Sequence, residues 1–100
     1  MPEEYKKGQE VYWAEVSEDG EYSNIYVGVI TGCCFNSDRN FYYISNPYGV
    51  DYVEEKYITH SLDGADYKAK VYMNEHLKAR GKDAVWIITE EENEKYKNLM

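Results

Sequence analysis

Between Ile25 and Val53 the chain passes through three apolar or aromatic runs separated by short polar ones, and this stretch restricts the fold more than any other. A long run from Ile25 to Cys33 is followed by the polar loop Asn36-Ser37-Asp38-Arg39. An aromatic run from Phe41 to Ser45 then leads through Asn46-Pro47-Tyr48-Gly49 into the short run Val50 to Val53. Runs rich in β-branched and aromatic residues and bounded by turn formers are the signature of an antiparallel meander. Alternation along the first run sets Tyr26, Gly28 and Ile30 on one face and Ile25, Val27, Val29 and Thr31 on the other. Both faces are largely apolar, so this strand is expected to be central, or covered on its second side by a helix. Gly28 and Gly32 inside it predict a bulge, a sharp bend or a close backbone approach. The aromatic run divides into Phe41, Tyr43, Ser45 and Tyr42, Ile44, so one aromatic set must face away from the interior.

The flanks complete the pattern. Residues 1–7 are polar and expected to fray. Gly8-Gln9-Glu10-Val11-Tyr12-Trp13 opens a strand that runs to Val16, and Ser17-Glu18-Asp19-Gly20 reads as a turn. After Val53, residues 54–59 form a short crossover with Tyr57 and Ile58 as anchors. Ser61 is placed to cap a helix over 61–80, whose buried stripe would be Leu62, Ala65, Ala69, Tyr72, Met73, His76 and Leu77. Gly81 stops it. Ala84-Val85-Trp86-Ile87-Ile88 predicts a last strand over 84–88. Thr89 with Glu92 forms a capping box for a short helix over 90–100. The fold class expected is mainly β (α+β): one domain over 1–100, a small bent barrel of five strands, one packed helix in the C-terminal half and a short terminal helix.

Composition narrows the function. Twelve Tyr, two Trp and two Phe dominate an apolar share of 43%, which favours a small sheet over a helical bundle. The net charge of −8 is uneven: residues 1–60 carry eleven acidic and four basic side chains, and residues 61–100 carry eight and seven. An acidic β-rich half disfavours nonspecific nucleic-acid binding and suits a basic protein partner or plain solubility. No apolar leader follows Met1-Pro2-Glu3-Glu4 and no run is long enough to span a membrane, so a cytoplasmic location is expected. Two adjacent cysteines form no disulfide framework.

The order Gly8-x-x-Val11-Tyr12-Trp13, Gly28-x-Ile30, Phe41-Tyr42-Tyr43-Ile44 and Asp51-Tyr52-Val53 resembles an SH3-like barrel of the broad Tudor/KOW type over residues 8–60. The resemblance is one of spacing, not of a diagnostic motif. KOW-like members tend to bind RNA through basic loops, whereas this half of the chain is acidic. Tudor-like members hold methylated Lys or Arg in an aromatic cage, and Tyr12, Trp13, Tyr43, Tyr48 and Tyr52 supply suitable rings. Peptide-binding SH3 domains open on an Ala-Leu-Tyr-type motif that is missing here.

Catalytic chemistry finds little support. Cys33 and Cys34 on a strand point to opposite faces, so they do not share a metal or a relaxed disulfide. One is expected to be a buried small hydrophobe and the other nearer solvent. With His60 and His76 they lack the paired spacing of zinc sites. A cysteine nucleophile assisted by His60 and Asp63 lacks electropositive surroundings. The carboxylate runs Glu3-Glu4, Glu54-Glu55 and Glu90-Glu91-Glu92 read as solvated faces. The expectation is a non-enzymatic module without cofactor or metal, of bacterial or phage origin. It would bind a basic protein through Tyr12, Trp13, Tyr43, Tyr48 and Tyr52, rimmed by Glu54 and Glu55. Two alternatives stand beside it. One is a KOW-like nucleic-acid module using Lys68, Lys70, Lys78, Arg80 and Lys82. The other is a phage-type inhibitor that mimics nucleic-acid charge. Homodimerisation through an open sheet edge is compatible with each.

Overall fold

In the computed structural model, which describes residues 5–36 and 38–99, the meander forms as the alternation predicts. The strands are β1 (Glu10–Val16), β2 (Ser23–Phe35), β3 (Asn40–Asn46), β4 (Gly49–Glu54) and β5 (Ile58–Thr59), with a 3-10 turn at Glu55–Tyr57 before β5. They make one antiparallel sheet in the order β4-β3-β2-β1-β5, strongly bent but not closed into a barrel. The pair Glu3-Glu4 and the loop residue Ser37 lie outside the described residues.

β2 is the central strand, and its two glycines do different jobs. At Gly28 a side chain would run into Ile44 Cγ2 and the Ser45 carbonyl, both 2.6 Å from where its Cβ would sit. Glycine therefore lets β3 lie close against β2. Near Gly32 the register with β3 shifts between Ile30 and Gly32, the bulge that bends the sheet. The interior takes one residue in two: Val11 and Trp13 from β1, Ile30 from β2, Tyr42 and Ile44 from β3, Val53 from β4 and Ile58 from β5. The second face of β2 is not covered by the helix as far as Val27 and Val29, which remain 43% and 39% exposed.

Helix α1 (Leu62–Ala79) begins at Ser61, whose hydroxyl accepts from the Gly64 N–H at 3.0 Å. It packs on β1, where Ala14, Ala69 and Met73 form a second small core. Alanine on both surfaces permits the close approach. Leu62 departs from the expected stripe: as the first helical residue it is 55% exposed. Tyr67 and Lys68 are buried instead. Lys68 Nζ donates to the Ile58 carbonyl at 2.7 Å, and the Tyr5 hydroxyl donates to the same oxygen at 2.9 Å. Tyr5, expected to fray, is therefore part of the core, its ring edge-on to Tyr42.

The last predicted strand is corrected. Residues 84–88 are not a strand; the fifth strand is Ile58–Thr59, which pairs with the outer edge of β1 at Tyr12 and Trp13. The segment is held by one side-chain amide. Asn74 Nδ2 donates to the Trp86 carbonyl at 2.9 Å and Asn74 Oδ1 accepts from the Trp86 N–H at 3.0 Å, as a neighbouring strand would. The Trp86 indole N–H donates to the Gly20 carbonyl at 2.8 Å, tying this segment to the β1–β2 turn. Val85 and Ile87 point outward.

Helix α2 (Glu90–Tyr96) carries the predicted capping box, and a 3-10 turn (Lys97–Leu99) follows it. Lys70 docks it to α1, with Nζ 3.0 Å from Glu92 and 3.3 Å from Asp66. The Lys70 ammonium, and then the Thr89 backbone N–H, hold the Glu92 carboxyl below its usual range. A depressed acid stabilises the fold above its unfolded pKa and loses that contribution as pH falls through the folded one. The contacts of α2 are therefore expected to loosen as pH falls below the ordinary glutamate range, about 4.3. Protection of the Glu92 and Asn93 amides, taken relative to their intrinsic exchange rates, should drop there in the parent. In Glu92→Gln it should already be low at pH 7 and show no such step.

Candidate functional site

The sheet is open on one side, and that opening carries the most concentrated chemistry. β1 is paired with β5 only at Tyr12 and Trp13, so the outer edge of Ala14, Glu15 and Val16 has no strand beside it among the described residues. β4 is paired on one edge, with β3. The bend brings these two edges to face each other across a cleft of about 310 Å³, lined by residues 13–16 of β1, Asp51 to Glu54 of β4, Phe41 and Tyr57. A second cleft of about 440 Å³ lies towards the β3–β4 turn, between Trp13, Glu15, Tyr26, Asn46, Tyr48 and Asp51. The two share Trp13, Glu15 and Asp51, so they form one groove.

Each wall residue is placed by strand alternation. Trp13 and Glu15 lie on the inner face of β1, and Tyr26 stands beside Trp13 on β2 with ring centroids 5.4 Å apart. Asp51 is opposite Ile44 on the inner face of β4 and accepts a hydrogen bond from Asn46 Nδ2 at 2.6 Å. Asn46 Oδ1 accepts from the Tyr48 N–H at 2.8 Å, an Asx turn that presents the Tyr48 ring 94% exposed beside the groove. Glu15, then burial and Asp51, hold the Tyr26 phenol above its ordinary pKa, so it stays a neutral donor beside two carboxylates. At the other end the Tyr57 ring packs edge-on against Tyr72, with centroids 5.0 Å apart. Burial is the main cause that pushes the Tyr72 phenol up to about 12.

The groove is thus an aromatic channel with Glu15, Asp51 and Glu54 on its walls, and among the described residues no Lys, Arg or His lines it. Rings in such surroundings attract cations. The chain supplies its own example, Lys56, whose Nζ lies 5.1 Å from the Tyr57 centroid and 5.2 Å from that of Tyr72.

Of the residues singled out in the sequence, Trp13, Tyr48, Tyr52 and Glu54 line this groove. Trp13 is not an exposed ring, however: it is 4% exposed and reaches the groove from the core. Tyr12 and Tyr43 lie on the other face of the sheet. Tyr43 joins Tyr52 and Phe41, which share its face and border the groove only at its rim; Phe41 stacks on Tyr52 at 4.5 Å and Tyr43 lies 5.0 Å from it. The five rings therefore do not converge on one cage. Glu55 accepts from Asn40 Nδ2 at 2.9 Å, away from the groove. Glu15, Tyr26, Asp51 and Tyr57 went unrecognised as site residues. The available signal was Glu15 two residues after Trp13 and Asp51 two before Val53, acids on the inner face of otherwise apolar strands.

Other candidates are placed as follows. Cys33 and Cys34 are both exposed, contrary to the expectation of one buried thiol, because the end of β2 runs past its pairing with β1 at Val29. The Cys34 thiol near the Tyr52 hydroxyl, then burial, raises the Tyr52 pKa. His60 Nδ1 accepts from Gln9 Nε2 at 2.9 Å, and His76 Nδ1 donates to the Ser17 carbonyl at 2.8 Å. The lysine series is not a free strip: Lys68 is buried, Lys70 is bound to Asp66 and Glu92, and Lys82 lies 3.6 Å from Glu21. No helix among the described residues is long and apolar enough to cross a membrane. In comparisons with known proteins, the chain matches no family model, no curated protein and no solved structure.

Proposed function

We propose that this chain is a non-enzymatic interaction module on an SH3-like sheet, which binds a basic segment of a protein partner in the groove between β1 and β4. The supporting observation is the wall composition: Trp13, Tyr26, Tyr48, Tyr52 and Tyr57 with Glu15, Asp51 and Glu54, and no neutralising cation among the lining residues. Rings supply area at small conformational cost, while carboxylates select sign and steer encounter. The same sign disfavours a phosphate backbone in this groove.

Neutralising the walls tests it. Glu15→Gln with Asp51→Asn is expected to weaken binding of Lys- and Arg-containing peptides about tenfold or more, roughly 0.7 kcal/mol or more for each charge. Salt should weaken the parent's binding far more than the double variant's. Unchanged affinity in the double variant, with its fold intact by circular dichroism, would remove the groove from the account.

A further inference from the structure

We infer that the basic segment enters the groove as an added strand, in extended conformation, between β1 and β4. This rests on the groove reading above and specifies how the partner is held. Both walls are strand edges. On β1, Ala14, Glu15 and Val16 run beyond the reach of β5, and on β4 the edge away from β3 is open; among the described residues no backbone hydrogen bond closes either edge. In a strand, alternate residues direct their N–H and C=O to opposite edges, so each wall offers donors and acceptors at two-residue spacing. β1 and β4 run antiparallel to each other, because each step across β2 and β3 reverses direction. One added strand therefore pairs parallel with one wall and antiparallel with the other, and it completes the barrel that the five strands leave open.

Side chains set the ligand's pattern. Asp51 and Val53 face inward with Trp13 and Glu15, whereas Tyr52 and Glu54 face the other way. A strand between them alternates in the same manner. The segment that fits is about five or six residues long, the length of β4, with Lys or Arg at every second position towards Glu15 and Asp51 and further apolar or basic residues towards Tyr52 and Glu54. The same carboxylates argue against a second copy of this chain as occupant. Pairing β4 with its own copy brings Asp51 and Glu54 against identical charges on a partner that also carries −8.

The test uses the full chain and a pool of capped hexapeptides with Lys or Arg at positions one, three and five and random residues between. The tightest binder is remade with N-methyl groups on alternate backbone amides, once in each register. The inference expects at least one methylated register to bind about tenfold or more weakly, since its charges are intact but its strand bonds are not. Amide exchange should also slow about tenfold or more in the parent complex at alternate positions among residues 14–16 and 51–54, those whose N–H faces the groove. If both methylated registers bind like the parent and exchange at these amides is unchanged, strand addition is overturned while the basic-segment reading stands. If the pool binds no better than an Asp/Glu counterpart pool, both fail together.

Discussion

Tyr42→Ala is expected to lower stability by about 3–5 kcal/mol, the range for deleting a fully buried aromatic ring. Tyr42 is 0% exposed at the centre of the interior, with Tyr5 and Phe35 edge-on at 5.4 and 5.6 Å. Its hydroxyl also accepts from the Tyr5 N–H at 3.4 Å. The loss is therefore both a cavity between β2 and β4 and a release of the N-terminal segment that closes one end of the core. A domain of this size is stable by only about 5–15 kcal/mol, so urea unfolding should show a much reduced midpoint. Tyr42→Phe separates the terms: it keeps the ring and is expected to cost about 1 kcal/mol.

Gly20→Ala should cost about 3 kcal/mol for a different reason. Gly20 ends the turn between β1 and β2 with φ at +76°, a conformation that costs an L-residue roughly 1–2 kcal/mol. A Cβ there would also collide with the Met73 carbonyl and lie 2.9 Å from Leu77 Cγ, and overpacking of this kind adds about 1–3 kcal/mol. The turn has little freedom to move away. The Ser17 hydroxyl accepts from the Glu21 and Tyr22 N–H groups, both at 3.1 Å, and the Gly20 carbonyl is held by Trp86. Gly81→Ala is the control: its φ is also +76°, but nothing lies within 4 Å of the added carbon. It should cost only the backbone term. Equal losses at the two positions in chemical denaturation would mean that the turn does not dock on α1 as described.

The residues that could be read correctly from sequence are those whose signal is local. The alternation of Tyr42 and Ile44 against Phe41 and Tyr43 decides which ring set is inside, because a strand has only two faces. Ser61 and the pair Thr89 and Glu92 announce their helices through capping, which involves residues three apart. Gly28 and Gly32 announce a bulge, a bend or a close approach, and the structure assigns the close approach to Gly28 and the bulge to the neighbourhood of Gly32. What failed depends on competition between distant segments. Residues 84–88 have more β propensity than Ile58–Thr59, yet the shorter pair follows directly from β4 through one 3-10 turn and occupies the edge of β1. Tyr5 has no periodic context, so only the fold reveals that its hydroxyl reaches Ile58.

The groove was half legible for the same reason. Trp13, Tyr48, Tyr52 and Glu54 stand out as rings or as a rim charge. Glu15 and Asp51 acquire meaning only when the bulge near Gly32 bends the sheet and brings β4 opposite β1. Alternation alone already separates Tyr43 from Asp51, since neighbours across β3 and β4 share a face: Tyr43 with Tyr52, and Ile44 with Asp51. The sheet therefore has two aromatic surfaces, an outward one around Phe41, Tyr43 and Tyr52, and an inner one beside Glu15 and Asp51 at the opening.

The measurement that separates them is an NMR titration of the ¹⁵N-labelled chain with a short Arg- and Lys-containing peptide. Binding in the groove shifts amides at residues 13–16, 26 and 48–57, while Val27, Val29 and Tyr43 on the outer face stay unchanged. Shifts centred on Val27, Val29 and Tyr43, or on Lys78 and Arg80, would overturn the groove as the binding site.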